Sequence, residues 1–196
     1  MQAPADETAP DLALARAAAS GDRAALRSVL ELVGPSVLAA ARSVLGGGHP
    51  DVEDVAQEAL LGIVKALPSF RGGSSLVHFA RRVAVRRAID GLRNAARARR
   101  RSAELDESQA AASEPTMLER KHAMWRRLLA ELPAAQAEAL VLRAVEGHSI
   151  EEIAALSDTP IETVRSRLRL AKAALRERIA SDPAFADVIG GDDDRA

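Results

Sequence analysis

Cysteine is absent from this 196-residue chain, which excludes disulfides, thiol catalysis and any Cys-based zinc site. Tyrosine is absent as well, and three Phe and one Trp are the only aromatics. Runs of β-branched residues are scarce, so a sheet has little to build on. Ala and Leu dominate instead, at helical spacing, and predict an all-α protein. No continuous apolar run approaches the roughly 18–20 residues of a membrane span, and the acidic N-terminus does not read as a signal peptide. A cytoplasmic chain with no membrane insertion of its own is expected.

The formal net charge of −1 would not suggest a nucleic-acid partner, but it conceals a segregation. Residues 71–101 hold ten Arg and one acid, Asp90, whereas 102–119 hold five acids and no base. The four histidines (His49, His78, His122, His148) fall on separate elements without metal-ligand spacing or a paired nucleophile. They are expected at the surface or half-buried. No catalysis, metal or cofactor is expected.

The most informative stretch is 149–179. Ser149 and Glu152 form an S-x-x-E capping box that starts a helix with Ile150, Ile153 and Ala154 turned inward. Ser157-Asp158-Thr159-Pro160 is a cluster of turn formers, and Pro suits the first turn of the next helix. On that helix Val164, Leu168, Ala171, Leu175 and Ile179 form a buried stripe, while Arg165, Arg169, Lys172 and Arg176 recur on another side. A helix-turn-helix with a basic second helix suits DNA. The plainer reading is an amphipathic hairpin with a solvated basic face.

Breaks in the pattern divide the chain into a disordered N-terminus (1–10), a first helical domain (11–101), an acidic flexible linker (102–118), a second domain containing the helix-turn-helix (119–181) and an acidic tail (182–196). Helices are predicted over about 11–19, 22–32, 36–45, 51–67 and 75–99, with a break at Gly34-Pro35. The second domain should hold a helix ending near Leu132, another from Pro133 to Glu146, and a stop at Gly147. In the helix from Asp51 to Leu67, Val52, Val55, Ala56, Ala59, Ile63 and Ala66 make a core stripe. Asp54, Gln57, Glu58, Leu61 and Lys65 share the opposite third of the surface, a polar face with an apolar centre suited to a protein partner, or a solvated face with one stray Leu.

The next helix carries Arg82, Arg86, Arg93, Arg97 and Arg100 in a row that suits phosphate, because the planar guanidinium bonds phosphate oxygens in pairs. Before it, Phe70-Arg71-Gly72-Gly73-Ser74-Ser75 offers a loop for an unstacked base. The alternative makes Phe70 core and GGSS a plain connector.

Together, DVEDVAQEALLGIVKALPSFRGGSSLVHFARRVAVRRAIDGLR and LPAAQAEALVLRAVEGHSIEEIAALSDTPIETVRSRLRLAKAAL resemble the bacterial sigma factors of the extracytoplasmic-function (ECF) group, from about Asp11 to Ile179. The shared pattern is a D-x-x-Q helix, an F-R-G loop, an arginine-rich helix and a T-V-R-S-R-L helix-turn-helix, in that order.

The resemblance implies that Asp54, Gln57, Glu58 and Leu61 dock on core RNA polymerase. Phe70, Arg71, Gly72, Ser74, Ser75 and Phe79 would read the minus-ten promoter element as single-stranded DNA, with Arg82, Arg86 and Arg93 on its backbone. Pro160, Thr163, Arg165, Ser166, Arg167, Arg169 and Lys172 would lie at the duplex minus-thirty-five element. It also implies a linker threading the polymerase interior and an anti-sigma partner. The chain departs from the family at Leu76 and Phe79, where an aromatic-Trp pair is usual, and at Arg86, often Asn. It departs again at Leu170, commonly Arg, and at Glu162, commonly Gly. A stand-alone helix-turn-helix regulator shares the second domain but has no use for the Asp54–Leu61 face. A DNA-acting enzyme would need the carboxylate or metal-ligand cluster that is missing beside the arginines.

Overall fold

A computed structural model of the chain describes residues 8–103 and 116–181; the expectations for the extreme N-terminus, most of the linker and the acidic tail lie outside the described residues. Among the described residues there are eight α-helices, a 3-10 turn and no strand. The first block comprises α1 (Thr8–Ala19), α2 (Arg23–Leu45), α3 (Val52–Ala66), the turn Leu67–Ser69 and α4 (Leu76–Ala103). The second comprises α5 (Met117–Glu131), α6 (Ala134–Ala144), α7 (Ile150–Ser157) and α8 (Ile161–Ser181). Helix α1 thus begins inside the stretch expected to be disordered, and α4 and α5 take up both ends of the expected linker.

Two helices were expected where α2 runs unbroken through Gly34-Pro35. Pro35 forfeits one backbone hydrogen bond. Val29, Val33, Val37, Ala40, Ala41 and Val44 nevertheless form one buried stripe on both sides of it, and each such Val contributes about 1.5–3 kcal/mol when fully buried. By length and mean composition alone α2 could cross a membrane, but Glu31 and Arg42 interrupt its apolar residues, and its buried stripe belongs to the first block's core.

Helix α4 packs on α1, α2 and α3 with one side and on α5, α6 and α7 with the other. Its N-terminus is held from afar, where the Leu76 amide donates to the Asp11 carboxylate of α1 at 2.7 Å. Its apolar residues Leu76, Ala80, Ala84, Val85, Ala88, Ile89 and Leu92 are buried. The second block is built as its sequence suggests. Capping boxes at Thr116/Glu119 and Ser149/Glu152 start α5 and α7, each cap contributing about 0.5–2 kcal/mol. Asp158, left-handed at φ 48°, ends α7, and Val164, Leu168 and Ala171 seat α8.

The two blocks meet along a polar seam. Arg81 pairs with Glu146 at 2.6 Å, Arg82 with Glu138 at 2.7 Å, and Arg126 donates to the Leu45 carbonyl at 2.6 Å. Ser43 donates to Glu146 at 3.0 Å. Two of the histidines expected to be scattered come together here: His78 of α4 and His148 of the α6–α7 loop meet edge to face, ring centres 4.9 Å apart. His148 is 3% exposed, and its Nε2 has no hydrogen-bond partner among the described residues. Burial, then His78, then Arg81 push this imidazole below its ordinary 6.5, outweighing the raising effect of Glu152 and Glu146.

Two outcomes follow from this packing. Gly46 has φ +92°, and an added Cβ would lie 2.8 Å from His122 Nδ1. Gly46→Ala should therefore cost about 1 kcal/mol or more in a thermal or urea melt, with the steric part recovered in a Gly46→Ala, His122→Ala double variant. For His148 the sign is set by its lowered pKa. Well above pH 6.5 the ring is neutral folded or unfolded, whereas as pH falls through that value the unfolded chain takes up the proton first. The melting temperature should fall as pH drops from about 7.5 to about 5.5. His148→Asn should flatten part of that fall; His49, whose pKa is also lowered by burial, supplies another part.

Candidate polymerase and nucleic-acid interfaces

Helix α3 presents its two faces as the spacing requires. Val52, Ala56, Ala59 and Ile63 are buried against the core, while Asp54, Gln57, Glu58 and Lys65 are exposed. Leu61 is 59% exposed at the centre of that polar face. A large apolar side chain held in water on a helix with a fully packed opposite side is the kind of anchor that a protein interface buries.

The loop after α3 is shaped by glycine at one position. Gly72 takes φ +73° while its Cα faces Leu12 of α1, where an added Cβ would be 3.3 Å from Leu12 Cδ2. Arg71 is exposed, and Gly72, Ser74 and Ser75 are half-buried. Phe70 is 7% exposed and packs at 5.2 Å, ring to ring, on the half-buried Phe79. The plainer reading of Phe70, as core, describes where it sits. It nonetheless lines one wall of a cavity of about 490 Å³, with Arg16, Ser20, Leu67, Pro68 and Arg71 on the others. The sequence pattern offered no sign that Arg16 of α1 reaches this loop.

The arginine row on α4 is divided by its surroundings. Arg86, Arg97 and Arg100 are exposed, whereas Arg82 and Arg93 are half-buried in the seam. Arg82 bonds the Glu138 carboxylate and the Leu156 carbonyl, and Arg93 bonds the Leu132 carbonyl. Both side chains expected on DNA thus already hold anionic or carbonyl acceptors of the second block. Glu138 is the residue that sequence reasoning missed. It sits in a stretch, LPAAQAEAL, that reads only as an amphipathic helix.

On α8, Thr163, Arg165, Ser166, Arg169 and Lys172 are exposed, and Pro160 precedes the helix at the surface. Arg167 is half-buried and lies 3.5 Å from the Thr159 hydroxyl, which places it at the turn rather than on the open face. Arg165 pairs with Glu162 at 2.6 Å, both side chains exposed, so the pair is weak and readily exchanged for a phosphate. Leu170, 42% exposed, interrupts the basic face. Among the described residues no three His, Asp or Glu side chains are placed to hold a metal ion.

Comparison with known proteins gives these surfaces a family. The family model described as Sigma-70 region 2 matches residues 29–98, the span of α2 through most of α4. That described as Sigma-70, region 4 matches 122–175, the span of α5 through α8. The ECF RNA polymerase sigma factor SigD of Mycobacterium tuberculosis (strain ATCC 25618 / H37Rv) is 36% identical over 172 residues, covering 84% of this chain and 81% of the relative. The ECF RNA polymerase sigma-E factor of Escherichia coli (strain K12) is 36% identical over 143 residues, covering 66% of this chain and 74% of its own. Among solved structures, CnrH in complex with the cytosolic domain of CnrY aligns with a TM-score of 0.54 at 26% identity, covering 88% of this chain and 98% of that one. Both sigma-70 regions matched in order along one chain, with relatives of 36% identity over most of its length, mean that the chain belongs to the ECF sigma factors of bacterial RNA polymerase.

Proposed function

We propose that this sigma factor binds core polymerase through Asp54, Gln57, Glu58 and Leu61 of α3, and directs initiation at its own set of promoters from two DNA-facing surfaces. The observation that carries the reading is Leu61, 59% exposed amid acidic and amide groups on an otherwise packed helix. A stand-alone regulator has no use for such a face. Thr163, Arg165, Ser166, Arg169 and Lys172 of α8 enter the major groove of the upstream element, with Pro160 and Arg167 at its edge. There Arg165 or Arg169 reads a guanine edge while the other cations anchor phosphate.

At the minus-ten element, Arg71, Gly72, Ser74 and Ser75 form the reading loop with Phe79 behind Phe70, and the cavity lined by Phe70, Arg71 and Arg16, by its size and basic rim, supports a role in holding one unstacked base. Arg82, Arg86 and Arg93 take the backbone of that strand. Because Arg82 and Arg93 are held by Glu138 and by the Leu132 and Leu156 carbonyls, the described arrangement is a closed one. Docking on polymerase separates the blocks and exchanges those acceptors for phosphate. The acidic linker then follows the polymerase's basic interior. CnrH is solved with the cytosolic domain of CnrY; for this chain we assign the corresponding role to an anti-sigma protein covering the α3 face and α8. The chain works in the cytoplasm, where polymerase is, and performs no catalysis itself.

Run-off transcription with purified core polymerase, on the gene's own upstream region and on a panel of promoter fragments, tests the reading. Wild type should yield discrete transcripts, and Leu61→Asp should lose both transcripts and co-purification with core. A wild-type chain that binds duplex DNA but neither co-purifies with core nor supports any transcript would sink the proposal in favour of the stand-alone regulator. The closed arrangement has its own check. Glu138→Gln, which weakens the hold on Arg82, should raise the free chain's affinity for single-stranded minus-ten DNA about threefold to tenfold.

A further inference from the structure

Between the C-terminal half of α4 and the facing side of α5 lies a cleft of about 560 Å³, of whose lining only Arg93 is assigned to a promoter contact. Arg93, Arg97, Arg99 and Arg100 line it from the first block, and Arg126 and Arg127 from the second. The one carboxylate on its wall, Glu131, is already paired with Arg127 at 3.0 Å and with Arg178 at 3.9 Å. The side chains of Arg97, Arg99 and Arg100 make no hydrogen bond or ion pair within the described residues. Arg126 is partly desolvated and faces Arg99, and both effects push its guanidinium below the ordinary value; the same two cations also depress His49 nearby. Among the described residues this much like charge about one concavity is met by a single carboxylate, so the cleft favours an anion.

We infer that this cleft is a binding site for a small linear polyphosphate, and that its occupant bridges the two blocks and holds them closed. The volume is that of a small-molecule site and too small for a duplex. The donors are planar forks that take phosphate oxygens in pairs, and they come from both sides, so three or four linked phosphates can be gripped at once. Ala96, Ala123 and Ala130 keep the walls low enough for side-on approach, and Leu92 leaves an apolar patch where a base could rest. Opening the seam parts Arg97, Arg99 and Arg100 from Arg126 and Arg127. The anion therefore binds the closed arrangement in preference to the open one, and by linkage stabilises it.

The test uses the free full-length chain without polymerase or DNA, so its failure leaves the sigma-factor reading untouched, and the reverse holds too. Tripolyphosphate, added at constant ionic strength, should raise the melting temperature in a saturable way and give a calorimetric isotherm near one-to-one. Arg97→Ala with Arg100→Ala, both exposed, should weaken binding at least about tenfold. Arg126→Ala with Arg127→Ala should do the same from the other wall. Because Arg126 also holds the Leu45 carbonyl, the exposed pair is the deciding variant should this one fold poorly. Arg23→Ala with Arg27→Ala, exposed on α2 away from the cleft, should leave binding unchanged. A nucleoside triphosphate binding more tightly than tripolyphosphate would assign the natural ligand to nucleotides, and the opposite order would assign it to inorganic polyphosphate. The site is refuted if sodium chloride at matched ionic strength gives the same shift, or if the α4 pair leaves binding intact. A shift that appears only after Glu104, Asp106 and Glu107 are neutralised would also overturn it, assigning the cleft to the chain's own carboxylates.

Discussion

The whole molecule depends on α4 being buried on two sides while carrying a dense row of arginines. Its apolar residues close the core of the first block, and the same helix is the platform on which α5, α6 and α7 rest. A guanidinium on such a helix cannot retreat from the protein; it must find water, an acceptor or a ligand. Arg86, Arg97 and Arg100 reach water, while Arg82 and Arg93 find acceptors on the second block. The position of the second block is thus tied to the arginines of the first.

That arrangement makes the seam a competition between equivalent partners. A carboxylate at Glu138 and backbone carbonyls at Leu132 and Leu156 offer Arg82 and Arg93 much of what a phosphate offers. Largely buried pairs of this kind gain little net, because the cost of desolvating both partners offsets much of their Coulomb attraction. On the reading proposed above, a partner that buries Leu61 and supplies a phosphate backbone reverses them. Apolar packing between the blocks would have been harder to undo, and a fully open linker would have left the arginines to any polyanion in the cell.

Several features were plain in the sequence because they rest on contacts between neighbours along the chain. The capping box at Ser149 and Glu152, the stripe Val164, Leu168 and Ala171, and the two faces of α3 all follow from helical periodicity. The break expected at Gly34-Pro35 failed because a buried stripe on both sides outweighs one lost hydrogen bond. Phe70 could be read as base-stacker or core, and its contact with Phe79 and the cavity beside Arg16 needed the packing of α1 on the loop.

What the sequence determined by itself was the kind of protein: all-helical, a polar face centred on an exposed Leu, an arginine row and a helix-turn-helix with a basic second helix. These follow from local spacing and from residue chemistry that does not depend on what lies across the molecule. Only the tertiary structure decided which of those arginines are available. It brought Glu138 to Arg82, Glu146 to Arg81 and His148 to His78 across 56, 65 and 70 positions of chain. It also left Arg97, Arg99 and Arg100 facing Arg126 and Arg127 across an open cleft. Charge is written in the sequence residue by residue, but its pairing is set by distances of a few ångströms between elements that meet only once the chain has folded.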